Sequence, residues 1–100
     1  MIAMIERHVI FHVLPDRGPE FARFFEEKYR PAMAKTEGFL KAELLQDMEH
    51  DQDYMMVLRF ESLDAAATWR ASSLHEELKP DLKSLYDGSE LKVLEVIAQE

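Results

Sequence analysis

One hundred residues suffice for a single domain spanning 1–100, and 47% hydrophobic content is ordinary for a globular chain. Twenty acidic against twelve basic side chains leave a net charge of −8, which repels phosphate backbones and anionic membrane surfaces and argues against nucleic-acid or membrane partners. Cysteine is absent, excluding disulfides, thiolate metal sites and a cysteine nucleophile; no apolar run approaches the ~20 residues of a membrane span, and the Met1–Ile5 stretch lacks a signal peptide's basic start and cleavage site, so a cytoplasmic location is expected.

Ile5 to Leu14 is rich in β-branched and aromatic residues and reads as a strand. Val9, Phe11 and Val13 share one face, while His8, Ile10 and His12 share the other. Pro15-Asp-Arg-Gly18 ends it. Pro19 suits the first turn of a helix, in which Phe21, Phe24, Phe25, Lys28, Tyr29 and Ala32 recur as one stripe. Lys28 can lay its stem along that stripe with its ammonium in water. Pro31 removes a backbone donor and predicts a kink nearby. Gly38 suits a left-handed helix stop.

Phe39 to Asp47 is the second strand, with Leu40, Ala42 and Leu44 on one face and Lys41 and Glu43 on the other. The short polar link Met48 to Asp53 makes it an antiparallel hairpin with the strand Tyr54 to Phe60. Tyr54, Met56, Leu58 and Phe60 share a face of that third strand. Ser62 is an N-cap for the small-residue helix from Leu63 to Ala71, which carries the only tryptophan, Trp69. The helical signal breaks at Ser72-Ser73. A capping box of Ser73 with Glu76 restarts it, and Leu74, Leu78, Leu82 and Leu85 continue as an apolar stripe interrupted by Pro80. Asp87-Gly88 predicts a turn before a last strand, Leu91 to Ala98.

The order β-α-β-β-α-β is that of an α+β, ferredoxin-like domain: a four-stranded antiparallel sheet with helices on one side. The other side would carry His8, Ile10, His12, Lys41, Glu43, Met55, Val57, Arg59 and Glu95. Such a mixture is too apolar to leave bare and too charged for a core, which predicts a homodimer joined sheet to sheet, with Arg59 paired to Glu43 or Glu95. RNA-recognition domains share this order, but the first and third strands here offer no aromatic pair on the open face.

With Thr36-Glu-Gly-Phe-Leu-Lys-Ala-Glu-Leu-Leu45, Tyr54-Met-Met-Val-Leu-Arg-Phe60 and the Trp69…Ser72…His75…Leu78…Leu82 helix, the chain resembles the antibiotic biosynthesis monooxygenase superfamily of dimeric α/β barrels over nearly its whole length. The resemblance implies a homodimer whose two sheets close a barrel, with a pocket between helices and sheet in each subunit. Some members oxidise phenols or quinols with dioxygen and no bound cofactor; others degrade haem. The departures are specific. This chain contains no asparagine, and Ala65 stands where the quinone-forming members place an Asn one helical turn before the Trp. Haem-degrading members also use an Asn on the first strand, and a His farther beyond the Trp than His75.

Cofactor-free oxygenation needs an acidic organic substrate, a base, an oxyanion stabiliser and a dry pocket. His75 is the base candidate, since imidazole titrates near pH ~6.5. Trp69 would form a pocket wall, and Tyr54, Tyr29 or Tyr86 could donate to an oxyanion. Tyr54, Met56 and Phe60, with Phe24 or Phe25 behind, would line the substrate's apolar side. Trp69 and His75 point roughly 120° apart on an unbroken helix, so they meet only if it breaks at Ser72. No cofactor is expected, because a glycine-rich phosphate loop and cysteines are both lacking. Nor is a metal: His8 and His12 sit roughly 13 Å apart along one strand, and His75-Glu76 lacks the second histidine of a zincin motif. The alternative is a non-catalytic homodimer of this fold, binding a small apolar or aromatic ligand or serving a structural role.

Overall fold

A computed structural model describes residues 3–99; Met1 and Ile2 of the N-terminal stretch lie outside the described residues. The chain runs β1 (Ile5–Val13), α1 (Gly18–Phe24), a widened π turn (Phe25–Tyr29), α2 (Arg30–Met33), β2 (Phe39–Gln46), β3 (Asp53–Phe60), α3 (Leu63–Ala71), α4 (Ser73–Lys83) and β4 (Tyr86–Glu95). The strands form one antiparallel sheet in the order β2-β3-β1-β4. That is the ferredoxin-like architecture, with the second helix split in two. The sheet is open within the chain, with β2 and β4 as its edges.

Alternation puts Phe11, Val13, Met56, Leu58 and Phe60 on the helix side. There they bury against Phe21, Phe25, Met33 and Trp69. Each such side chain contributes about 1.5–3 kcal/mol through the apolar surface it removes from water. Ser62 caps α3 as expected, its Oγ accepting from the Ala65 N–H at 3.1 Å. Gly38 takes φ +88°, and a side chain there would also meet the Ala65 methyl. Glycine is required at that stop on both counts.

Several local features differ from the sequence expectations. The disturbance around Pro31 is a π turn: the Arg30 N–H bonds back five residues to the Phe25 carbonyl. Pro31 has no N–H to donate and its ring crowds the preceding turn, so the helix widens just before it. The extra residue rotates the remainder of the helix, which is how Met33 joins the stripe fully buried. In β2 the register shifts between Phe39 and Lys41. Leu40 is therefore exposed rather than aligned with Ala42, and Phe39 packs on Phe60. Asp87-Gly88 is not a turn; β4 begins at Tyr86 and Gly88 lies opposite His12. A Cβ at Gly88 would sit 3.2 Å from the His12 ring, so the glycine serves a close cross-strand approach. Glu95 pairs with Ile5 and belongs to the helix-side row, not the outer face. Arg59 pairs with neither Glu43 nor Glu95. Its guanidinium meets Glu6 at 2.6 and 2.8 Å, because β1 is the adjacent strand and Glu6 lies directly opposite.

Candidate active site

Ser72 organises the centre of the helix layer. Its backbone is extended (φ −71°, ψ 153°), ending α3 and starting α4. Its hydroxyl donates to the Trp69 carbonyl at 2.7 Å and accepts from the His75 N–H at 3.2 Å. The Trp69 carbonyl also accepts the Ser72 N–H at 3.1 Å, so Ser72 ties the end of one helix to the first free amides of the next. The cap is Ser72, one residue before the Ser73 of the expected capping box, because Ser72 has the extended backbone of an N-cap and Ser73 is already helical.

The break turns the chain so that Trp69 and His75 meet edge to face, ring centroids 5.2 Å apart. Tyr29, projected from the π turn, completes the group at 5.5 Å from Trp69 and 6.3 Å from His75. Trp69 is 1% exposed and Tyr29 6%. The His75 Nδ1 is buried and has no hydrogen-bond partner among the described residues. Buried polar atoms are nearly always paired, so this free nitrogen stands out.

The electrostatics follow from burial. Desolvation lowers the His75 pKa from its ordinary 6.5; Glu76 opposes this, while Lys79, Arg70 and Arg7 reinforce it. The imidazole is therefore neutral at pH 7 and able to accept a proton. Burial raises the Tyr29 phenol above its ordinary 10.0, only partly offset by Trp69, Arg7 and Arg70. It stays protonated, a hydrogen-bond donor.

The remaining residues singled out from the sequence lie apart from this trio or behind it. Tyr54 packs on Phe21 at 5.5 Å, and its hydroxyl lies under Gly18. It lines the cleft between Val13–Gly18 and Gln52, at the other end of the sheet from Phe60, which pairs with Ile5. Met56 and Phe60 are buried core residues. Phe24 and Phe25 stack behind Tyr29 at 6.0 and 6.5 Å. Phe24 also borders a polar cleft with Glu20, Arg23 and Asp81.

Arg7 is a site neighbour that the strand reading passed over. It occupies the helix-side row of β1 between Ile5 and Val9, half-buried, and its field reaches both Tyr29 and His75. The available signal was a lone charge at the odd positions of an otherwise apolar row. Among the described residues, no group of three or more His, Asp or Glu is arranged to hold a metal ion. Among them, too, no helix is long and apolar enough to cross a membrane.

Comparison with known proteins bears on what this arrangement does. A family model described as antibiotic biosynthesis monooxygenase matches residues 4–80. No curated protein sequence matches the chain significantly. Among solved structures, a candidate antibiotic biosynthesis monooxygenase from Caulobacter crescentus superposes with a TM-score of 0.87 at 17% identity, over 97% of this chain and 92% of that one. SnoaB, a cofactor-independent oxygenase from Streptomyces nogalater solved as an asparagine-to-alanine variant, gives a TM-score of 0.86 at 20% identity, covering 97% and 96%. A conserved protein from Methanosarcina mazei gives 0.82 at 18%, covering 92% and 91%. At these identities the likeness is one of fold.

Proposed function

The chain belongs to the antibiotic biosynthesis monooxygenase family, and from that membership we propose that it oxidises a small electron-rich phenol or quinol with dioxygen, without a bound cofactor. The observation that carries the reading is the buried Nδ1 of a neutral His75, without a partner among the described residues, beside Trp69 and Tyr29. His75 takes the phenolic proton, and the substrate anion supplies the electrons that reduce dioxygen. A carbon–oxygen bond forms to give a hydroperoxide, which loses water to leave a quinone. One phenol and one dioxygen become one quinone and one water. Tyr29 donates to the developing oxyanion, and the Trp69 indole shields the anion from water. The rings close on one another in this structure, so substrate enters by parting them.

The test is dioxygen uptake by purified protein with 1-naphthol. His75→Ala should lower the rate by ~10²-fold or more, as expected of a general base, with little loss of folding. Unchanged turnover would make His75 structural. Flavin, haem or metal retained at one per chain and required for turnover would end the cofactor-free reading. The absence of any asparagine, with Ala65 at the helix position before Trp69, favours a second reading, a ligand-binding protein without turnover. It predicts saturable quenching of Trp69 by 1-naphthol and no dioxygen uptake.

The outer sheet face, where Ile10, Met55 and Val57 lie between charged networks, supports assembly as a homodimer. A stable interface there would bury more than ~1,000 Å² in total. A solution mass of 11.7 kDa at micromolar concentration would contradict it.

A further inference from the structure

The cleft between α3 and the β1–β4 edge joins apolar walls to two cations. It has a volume of about 300 Å³, within the lower range of ligand sites. Ile5, Ala66, Leu91 and Val93 give it apolar walls, and Arg7 and Arg70 give it two cations. Leu91 and Val93 are each 49% exposed, so apolar surface is left uncovered beside the guanidinium groups.

Arg7 is the telling residue. Across the sheet it lies between Leu58 on β3 and Val93 on β4, in a row otherwise made by Ile5, Val9, Phe11 and Val13. A charge taken into such surroundings is costly unless an anion answers it. Arg17, Arg30 and Arg59 each pair with a carboxylate: Glu20, Glu26 and Glu6. Among the described residues neither Arg7 nor Arg70 forms an ion pair. Instead, Arg7 shares the cleft with Arg70, whose like charge, after burial, further disfavours its own. Two like charges stand together on a chain whose net charge is −8.

We propose that this cleft binds the carboxylate of an aromatic acid, with Arg7 and Arg70 holding the carboxylate and the apolar walls holding the ring. Asp64 also lines the cleft and offsets one of the two cations. One net positive charge suits a monoanion better than a phosphate dianion. The planar guanidinium matches a carboxylate with two parallel hydrogen bonds. That the bound acid is also the molecule oxidised rests on the oxygenase reading above; the carboxylate site itself does not. On that reading, Arg7 and Arg70 are positioning residues that bring the phenolic end of a hydroxyaryl carboxylate toward Tyr29 and His75.

Calorimetric titration of the full chain with 2-naphthoate and with its uncharged analogue 2-naphthamide tests this without any turnover. The carboxylate should bind about ten-fold tighter or more, as charge-assisted pairing with arginine implies. Arg7→Met and Arg70→Met should each abolish most of that preference, and Arg70→Lys should keep part of it. Should Arg7→Met fail to fold, the exposed Arg70 carries the same test. Equal binding of acid and amide, or a preference that survives both Met variants, would overturn the site. Tighter binding of 2-naphthyl phosphate than of 2-naphthoate would overturn the carboxylate assignment. Arg7-dependent binding of 2-naphthoate, with no dioxygen uptake from any phenol, would reject the oxygenase reading and leave this site standing.

Discussion

The two faces of the sheet treat charge in opposite ways. On the outer face, ionisable groups stand in closed networks: Glu6 holds both Arg59 and His8, and His12 bridges Asp53 at 2.8 Å and Glu90 at 3.1 Å. On the helix side, two groups go unanswered among the described residues: Arg7, which shares its cleft with Arg70, and the His75 Nδ1. A satisfied network stabilises and orders a surface. An unsatisfied group inside a well-packed layer costs stability, and it persists where a ligand supplies the partner.

Packing on the helix side depends most on the indole. Trp69→Ala empties the centre of the helix layer and should cost about 3–5 kcal/mol, a large share of the roughly 5–15 kcal/mol that holds such a domain. Urea unfolding would measure it. A loss below about 1 kcal/mol would mean that the indole fills no packed core.

The next effect sets one arginine against another. Arg59→Met removes one of the two partners, with His8, of a Glu6 whose side chain is only 16% exposed. It should cost about 1–2 kcal/mol, less than for a fully buried pair because solvent still screens it. Arg7→Met instead removes a charge that forms no ion pair among the described residues and should be neutral or stabilising. If Arg7→Met unfolds as readily as Arg59→Met, the contrast between the faces fails.

The smallest effects have opposite signs for two histidines. On the outer face, Asp53 first and Glu90 second raise the His12 pKa above 6.5. Its folded state binds the proton more tightly, so its contribution is full below pH 6.5 and is lost as pH rises through the folded value. Burial lowers the His75 pKa, so its folded state prefers the neutral ring. Stability is then full above pH 6.5 and declines as pH falls through 6.5 toward the folded value. His12→Gln should flatten the alkaline side of a plot of urea midpoint against pH, and His75→Gln the acid side. Glu6, its pKa lowered chiefly by His8, adds stability above its ordinary 4.5 that is lost at lower pH. Identical profiles for the two histidine variants would contradict the assignment.

The first three strands, the Ser62 cap and the break at Ser72 were legible because each rests on a local signal: alternation, a hydroxyl before an alanine run, adjacent serines; the last strand, expected at Leu91 to Ala98, runs Tyr86–Glu95. The π turn was not, since Pro31 announces a disturbance but not whether the helix kinks or widens. Gly88 reads as a turn residue until its approach to His12 is known, and the slip at Leu40 depends on pairing with β3. Arg7 was hidden for a related reason. A lone charge in a strand looks solvent-facing until the sheet register shows which row lies under the helices. The meeting of Tyr29 with Trp69 and His75 joins three helical segments, and no sequence spacing encodes it.

Isotope labelling decides whether the Tyr29–Trp69–His75 cluster of the helix layer performs oxygenation. Purified protein is given 1-naphthol under ¹⁸O-labelled dioxygen, with His75→Ala run alongside. The predicted result is naphthoquinone carrying one labelled oxygen atom, the second label in water, and the rate cut by ~10²-fold or more in the variant. Unlabelled quinone, or labelled quinone formed equally fast by the variant, would contradict it.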